Sequence, residues 1–162
     1  MSTVFLGVGS NVDAEHHVRA GLAALRETFG EVSVSPVYRS IAVGFDGDDF
    51  LNLAVKIETS LQPLELKHWL NDLENQYGRL RNVAKFSDRT LDIDILLYDD
   101  LYVRLPELSL PRGEILDFAH VLKPLADLAP GLTHPVTRKT YAALWESFSG
   151  DCSGLEQIEF RE

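Results

Sequence analysis

Hydrophobic and polar side chains alternate most regularly over residues 89–97. Successive side chains of a strand point to opposite faces, so one apolar set is expected to enter a core: Leu91, Ile93, Ile95 and Leu97. Thr90, Asp92 and Asp94 occupy the positions between them and are expected on the other face. The two carboxylates would then lie one pleat apart, with about 6.5–7 Å between their Cα atoms.

Before this strand, the apolar pattern predicts three more strands and two helices. Period two indicates strands at 3–8, 32–38 and 50–58, and helical spacing of apolar side chains indicates helices at 14–28 and 60–77. Asp13 is expected to cap the first helix, and Gly30 and Gly78 are expected to end the two helices. The polar stretches 41–49 and 82–88 are expected to be loops.

After residue 97 the chain is predicted to be mostly helical. Apolar spacing indicates helical segments at 114–128 and 140–148, and the polar tail from about residue 150 is expected to be loose. The resulting order, β-α-β-β-α-β followed by a helical C-terminal extension, is that of a ferredoxin-like fold. The sequence therefore predicts one α+β domain over residues 1–162, with an antiparallel sheet flanked by helices.

Composition and charge narrow the possible partners. The chain has 162 residues, of which 45% are hydrophobic, and a net charge of −10. This acidity argues against binding along a nucleic-acid backbone, which needs a basic face, but it allows a nucleotide site with a few local arginines. A single cysteine, Cys152, and the lack of a signal-like or membrane-spanning stretch predict a cytoplasmic protein without a membrane partner. A monomer is expected.

The paired aspartates and the nearby arginines are the first candidates for chemistry. Asp92 and Asp94 offer oxygen ligands for Mg²⁺, and Arg89 precedes them as a partner for phosphate groups. Arg79 and Arg81 open the polar loop that ends at Arg89. An alternating strand with a polar face is also typical of a half-solvated sheet, and arginines after a helix also stabilise its C-terminus. The pattern alone leaves both interpretations open.

Asn52 is a candidate for recognising a flat heterocycle. It is expected on the same strand face as Phe50, just after the polar loop 41–49. An amide next to an aromatic ring can read the polar edge of such a molecule while the ring contacts its face. The alternative is a polar residue on a solvated sheet face.

Several short motifs occur in a recognisable order: Leu6-Gly7-Val8-Gly9-Ser10-Asn11, Tyr38-Arg39-Ser40, Phe50-Leu51-Asn52, Glu74-Asn75-Gln76-Tyr77-Gly78-Arg79-Leu80-Arg81, Arg89-Thr90-Leu91-Asp92-Ile93-Asp94-Ile95-Leu96 and Pro124-Leu125-Ala126-Asp127-Leu128-Ala129-Pro130. With them, the chain resembles the hydroxymethyl-dihydropterin pyrophosphokinases of folate biosynthesis from about Thr3 to His134. The resemblance implies transfer of pyrophosphate from ATP to the hydroxymethyl group of a dihydropterin, with release of AMP.

The resemblance also implies roles for individual residues. Asp92 and Asp94 would hold two Mg²⁺ ions, and Arg81 and Arg89 would neutralise phosphate charge during catalysis. Nucleotide-side positions would be Glu74, Arg79, Arg81, Arg89, Ile95 and Arg112, and acceptor-side positions would be Ser40, Val43, Phe50, Asn52, Phe86 and His120. The loop at 82–88 would be mobile without ligand and would close over the bound substrates.

The chain departs from the family pattern mainly on the ATP side. Arg112 stands where the family usually has histidine, Phe118 where it has arginine, and Ser87-Asp88 where it has Gly-Pro. His120 stands where an aromatic ring usually closes the pterin site. Arg112 is a candidate to replace the lost histidine as a phosphate contact, and weaker ATP binding than in typical members is expected.

Two other functions remain open from the sequence. The chain could be a diverged relative that acts on another hydroxymethyl heterocycle or has little activity. It could instead be a ferredoxin-like binding or regulatory module in which the acidic residues form only a solvated face. Stabilisation by Mg²⁺ with an ATP analogue, and further stabilisation by a pterin, would distinguish the enzyme from such a module.

Overall fold

The fold comes from a computed structural model that describes residues 1–42, 44–78 and 88–162. The strands in these ranges are β1 (Ser2–Ser10), β2 (Ser33–Val34), β3 (Val37–Ser40), β4 (Phe50–Thr59), β5 (Asp92–Tyr98), β6 (Val103–Arg104), β7 (Ser109–Leu110) and β8 (Glu156–Ile158). The helices are α1 (Ala14–Phe29), α2 (Pro63–Gln76), α3 (Glu114–Asp117), α4 (Ala119–Leu128) and α5 (Tyr141–Glu146). None of the described helices is both long enough and apolar enough to cross a membrane.

The main sheet is antiparallel and has the predicted ferredoxin-like order. Its strands follow one another as β5-β1-β4-β3-β8, and β2 also pairs with β4. The central strand β1 is paired with β4 along its whole length, from Ser2 opposite Thr59 to Ser10 opposite Leu51. The prediction of an α+β fold with a flanked antiparallel sheet is confirmed. A separate two-stranded ribbon, β6–β7, lies outside this sheet.

Helices cover both faces of the sheet, but unequally. On one face α1 and α2 pack against the sheet through apolar side chains such as Leu22 and Leu70, which with Leu6 and Val55 belong to the larger core. On the other face α4 and α5 form a smaller core with residues that include Leu125 and Tyr141. The predicted helical extension therefore closes part of the second face, and the remaining part is where polar side chains gather.

Several elements differ from the predicted ones because single residues interrupt a regular pattern. The expected strand at 32–38 is split into β2 and β3 at Ser35-Pro36, where the proline lacks a backbone N–H for the ladder. The expected helix at 114–128 is split at Phe118, whose backbone is extended. Asp13 lies in the left-handed region, with φ 45°, and its side chain does not cap α1.

The C-terminal tail also differs from the prediction. The expected loose segment contains β8, which pairs with β3 through Val37 opposite Ile158 and Arg39 opposite Glu156. The tail is anchored further by Arg26, whose guanidinium donates to the Glu162 carboxylate at 2.8 Å. A polar composition therefore did not prevent this segment from adding a strand to the sheet.

The expected position of Leu97 on the core face with Ile95 is wrong. The β1–β5 register shifts between Phe5, opposite Leu97, and Leu6, opposite Ile95, so Leu96 has no direct partner. This bulge breaks the period of two, and Leu96 and Leu97 both join the smaller core. Asp92 and Asp94 precede the bulge, and their predicted shared face is retained.

Candidate active site

Three neighbouring strands bring the candidate polar residues into rows across the uncovered part of the sheet. Gly9 of β1 lies opposite Asn52 of β4 on one side and opposite Asp92 of β5 on the other. One pleat further along, Gly7 lies opposite Asp94. Because glycine has no side chain, β1 leaves an open floor between the amide and the two carboxylates.

A pocket of about 260 Å³ occupies this floor and extends under α3 and α4. Eight of the predicted site residues line it: Ser40, Phe50, Asn52, Arg89, Asp92, Asp94, Arg112 and His120. The lining also includes residues that the sequence analysis did not select: Gly7, Val8, Gly9, Ile41, Phe45, Leu53, Leu96, Glu114 and Val121, with Phe118 noted there only as a departure. Residues predicted to bind the heterocycle and residues predicted to bind phosphate therefore line the same cavity.

Asn52 is held in place at the end of the pocket formed by β3 and β4. Its side-chain amide donates to the Ser40 hydroxyl at 2.7 Å, and its exposed fraction is 8%. A Cβ added at Gly9 would lie 3.4 Å from Asn52 Oδ1, so the carbonyl end of the amide faces the glycine floor. Phe45 and Phe50 stand edge to face beside it, with ring centroids 6.3 Å apart. This end of the pocket combines a fixed polar group with aromatic walls.

Phe118 and His120 form the wall contributed by the start of α4. Their ring centroids are 5.3 Å apart, and the rings are tilted by 34°. Burial lowers the pKa of His120, which favours the neutral imidazole at neutral pH. A neutral ring can stack on a flat ligand without the cost of burying a charge.

Asp94 lies at the acidic end of the pocket in a strongly polar cluster. Its Oδ1 is 3.6 Å from Nη2 of Arg112, whose Nε donates to Glu114 Oε2 at 2.5 Å. Burial against the pocket wall, and next the negative charge of Asp92, raise the pKa of Asp94 to about 7, although Arg112 opposes this. The Asp94 side chain keeps 35% of its surface exposed, so a metal ion or a ligand can still reach it. A cation bound here would remove the unfavourable proximity of the two carboxylates.

The turn after β1 fixes the segment that leads into the aspartates. Asn11 Oδ1 accepts the backbone N–H of Arg89 at 2.7 Å, and the Asn11 backbone N–H donates to the Arg89 carbonyl at 3.0 Å. The Asn11 amide also donates to Asp88 Oδ1 at 2.7 Å and to the Asp48 carbonyl at 3.1 Å. This buried asparagine therefore joins the two polar segments next to Arg89. The Ser-Asn pair after a strand was the available signal, and alone it indicated only a turn.

Two nucleotide-side candidates lie outside the pocket lining. Glu74 is 2% exposed on α2, and its Oε2 accepts the backbone N–H of Ile93 at 2.7 Å. Glu74 therefore fixes the backbone of β5 between Asp92 and Asp94. The Ile95 side chain lies in the larger core, on the face opposite Asp94, so the predicted nucleotide contact at this residue would have to come from its backbone. Four predicted site residues lie outside the described residues: Val43, Arg79, Arg81 and Phe86. Residues 82–87 of the predicted loop at 82–88 also lie outside them.

The two carboxylates of β5 fit a metal ion whose remaining ligands come from a bound substrate and water. Among the described residues, no group of three His, Cys, Asp or Glu side chains converges to hold an ion. Two carboxylates on one strand can supply part of an oxygen shell, and Mg²⁺ commonly completes such a shell with substrate phosphates and water. Together with the neighbouring arginines, this arrangement is typical of a metal-assisted phosphate-group transferase.

Comparisons with known proteins agree with this class. The sequence profile of the family described as 7,8-dihydro-6-hydroxymethylpterin-pyrophosphokinase matches residues 5–130. The 2-amino-4-hydroxy-6-hydroxymethyldihydropteridine pyrophosphokinase of Pseudomonas aeruginosa is 39% identical over 137 residues, covering 82% of this chain and 83% of the relative. The enzyme of the same name from Aquifex aeolicus is 37% identical over 141 residues, covering 86% and 88%.

A solved structure of Plasmodium falciparum HPPK-DHPS with pteroate has a TM-score of 0.74 to this chain at 14% identity. The superposition covers 97% of this chain but only 46% of that one, and at this identity it supports the fold alone. From the sequence matches, the chain belongs to the 7,8-dihydro-6-hydroxymethylpterin-pyrophosphokinase family. The predicted resemblance is confirmed, and the comparisons favour the pyrophosphokinase over the two other functions considered.

Proposed function

We propose that this chain transfers the terminal pyrophosphate of ATP to 6-hydroxymethyl-7,8-dihydropterin and releases AMP. The observation that carries this proposal is the row formed by Asn52, Gly9 and Asp92. In this row an amide suited to reading a heterocycle and a carboxylate suited to binding metal lie on opposite sides of one open floor. An acceptor held by Asn52 would direct its hydroxymethyl group across the glycine toward the acidic end.

Acceptor binding is assigned to the end of the pocket with aromatic walls. Asn52 would hydrogen-bond the polar edge of the pterin, Ser40 would hold the amide in the required orientation, and Phe50 would contact the ring face. His120 would contact the opposite face from the start of α4. The family resemblance adds Val43 and Phe86 to this side.

Nucleotide binding is assigned to the acidic and basic end. Arg89 and Arg112 line the pocket there and would contact phosphate oxygens, and the resemblance adds Arg79 and Arg81. Asp92 and Asp94 would hold two Mg²⁺ ions, which supply charge neutralisation for the phosphates when bound. Glu74 would act indirectly by fixing β5 through the Ile93 N–H.

The transfer needs positioning more than covalent chemistry from the protein. The hydroxymethyl oxygen forms a bond to the β-phosphorus of ATP, the bond from that phosphorus to the oxygen bridging to the α-phosphate breaks, and AMP leaves with that oxygen. The hydroxyl proton passes to solvent or to a phosphate oxygen. Pre-aligned reactants and fixed positive charge account for most of the rate in such reactions.

The deciding experiment is detection of AMP from ATP and Mg²⁺ with 6-hydroxymethyl-7,8-dihydropterin present. We expect AMP and the pterin diphosphate in equal amounts, and no AMP when the pterin or Mg²⁺ is omitted. AMP formation only with a different hydroxymethyl heterocycle would favour the diverged relative. Absence of AMP with every acceptor, together with ligand stabilisation that does not need Mg²⁺, would favour the binding module.

We also propose that the protein is a monomer and acts in the cytoplasm. Its one cysteine, Cys152, is exposed and unpaired, which is typical of a reducing compartment. Size-exclusion chromatography with light scattering would test the oligomeric state.

A further inference from the structure

Arg112 is the basic residue that reaches Asp94 in the described part of the pocket. Its Nη2 lies 3.6 Å from Asp94 Oδ1, and its backbone N–H donates to the Leu96 carbonyl at 3.0 Å. Leu96 is the bulged residue of β5, so the strand that carries the aspartates also anchors the arginine. The guanidinium therefore stands beside the carboxylate that is assigned to metal binding.

The two carboxylate contacts of Arg112 differ in strength. Its Nε donates a charged hydrogen bond to Glu114 Oε2, whereas the Asp94 contact at 3.6 Å is longer than a hydrogen bond of this kind. Arg112 is thus hydrogen-bonded to Glu114, and it faces Asp94 without a hydrogen bond. The charge of Asp94 helps to raise the pKa of Arg112, but only Glu114 is close enough to hold the guanidinium by a hydrogen bond if it separates from Asp94.

A divalent cation and the guanidinium compete for the same charge. Asp92, Asp94 and Glu114 are the carboxylates lining this end of the pocket, and Arg89 is the other described basic residue there. While Arg112 faces Asp94, its positive charge offsets part of the negative potential that would attract a metal ion. Once a nucleotide phosphate is present, the same guanidinium has a better partner nearby.

We propose that Arg112, positioned by Glu114, is a resident counter-ion of Asp94 that keeps the free protein from binding divalent metal tightly and passes to a phosphate when nucleotide binds. The inference rests on the proposed function for its assignment of Asp94 to metal. It makes Glu114 a positioning residue, because Glu114 acts through the guanidinium. Metal and nucleotide then enter together, and the free protein holds little metal.

The first test is Mn²⁺ binding without nucleotide, measured by calorimetry and by loss of the free-ion electron paramagnetic resonance signal. Arg112→Gln should bind Mn²⁺ about fivefold more tightly than the unaltered protein, with the largest difference at low salt. Arg112→Lys keeps the charge and should keep the weak binding. Arg19→Gln is the matched control, because it removes the same charge from an exposed pair with Glu15 on α1, and it should change nothing.

The second test asks whether Glu114 acts through Arg112. Glu114→Gln alone should weaken Mn²⁺ binding, because the released guanidinium can close on Asp94. In the Arg112→Gln background the same substitution should have little effect. A full effect in both backgrounds would make Glu114 a metal ligand in its own right and would overturn its positioning role.

The outcomes separate this inference from the proposed function. If Arg112→Gln and Arg19→Gln bind Mn²⁺ equally while Asp94→Asn abolishes binding, the metal site stands and the counter-ion role is wrong. If Asp94→Asn leaves Mn²⁺ binding unchanged, the metal assignment itself fails. Circular dichroism and thermal melting establish that each variant is folded, and Arg112→Lys provides the comparison if Arg112→Gln does not fold.

Discussion

Asn52 and Asp92 occupy one row of the sheet, on opposite sides of Gly9. With neighbouring strands about 4.8 Å apart, their Cα atoms are separated by roughly 10 Å. The distance between the amide proposed to hold the acceptor and the carboxylate proposed to bind metal is therefore set by the width of a single intervening strand. Under the proposed function, backbone hydrogen bonds of the sheet would maintain the spacing between the two substrates.

A side chain added at Gly9 should weaken binding of the acceptor without disrupting the fold. In Gly9→Val, side-chain carbons would project between Asn52 and Asp92, and we expect at least a tenfold loss of pterin affinity and little remaining turnover. Valine favours strands, so the sheet should persist. Calorimetry with the pterin and an AMP assay measure the effect. Gly131→Val, at a site with no atom within 4 Å of an added Cβ, is the control; normal pterin affinity in Gly9→Val would contradict the assigned binding position.

Removing either of the two charges proposed to bind metal should abolish turnover while the fold is kept. Asp92→Asn and Asp94→Asn each replace a carboxylate with a neutral amide of nearly the same shape, and a Mg²⁺ site depends on that charge. AMP formation at saturating Mg²⁺ is the readout, with circular dichroism as the check of folding. Near-normal turnover in either variant would show that its carboxylate is not a metal ligand.

Restoring an arginine at residue 118 should tighten nucleotide binding. Phe118 lines the pocket at the place where the family usually has arginine, and one charged hydrogen bond to phosphate is worth about 1.5–3 kcal/mol, or roughly tenfold to a hundredfold in affinity. We expect at least a tenfold gain for a non-hydrolysable ATP analogue in Phe118→Arg. Leu116→Arg adds the same charge at an exposed residue of α3 and should gain much less. Equal affinities in the two variants would mean that residue 118 does not face the phosphates.

The raised pKa of Asp94 predicts a pH-dependent cost to the stability of the free protein. Its pKa in the folded state is about 7, above the ordinary value of 3.8. Between pH 3.8 and pH 7 the folded state therefore binds more protons than the unfolded state. The free energy of unfolding consequently falls as the pH rises through this range. Asp94→Asn removes that cost. Its gain should be small near pH 4, grow up to about pH 7 and then level off, reaching about 1 kcal/mol once solvent screening of the partly exposed carboxylate is allowed for.

Urea unfolding across this pH range measures that gain. Asp100→Asn, on an exposed turn residue, is the matched control and should show no pH-dependent change. A gain for Asp94→Asn that is constant with pH would indicate a packing effect instead of a titration effect.

The sequence predicted the sheet and the acidic strand because both depend on local periodicity. The pair Asp92 and Asp94, and the shared face of Phe50 and Asn52, followed from a period of two that the structure keeps up to Ile95. Leu97 was misplaced because a bulge at Leu96 arises from pairing with β1, which no single strand encodes.

The remaining site residues depend on contacts between distant segments. Glu114 and Phe45 reach the pocket only after α3 and the loop after β3 are folded against the sheet. The role of Asn11 depends on hydrogen bonds to Arg89 and Asp48, far apart in sequence. Glycines 7 and 9 had a readable signal, since two glycines at alternate positions of a strand leave one face bare.

The pairing of β8 with β3 has a consequence for shortened forms of the chain. A protein cut near Gly150 would keep its pocket residues and lose the strand that pairs with residues 37–39 of β3. An uncovered strand edge offers its free N–H and C=O groups to other chains. Such a truncated protein should self-associate through β3, and because Ser40 ends that strand, association would distort the acceptor end of the pocket before it disturbed the aspartates.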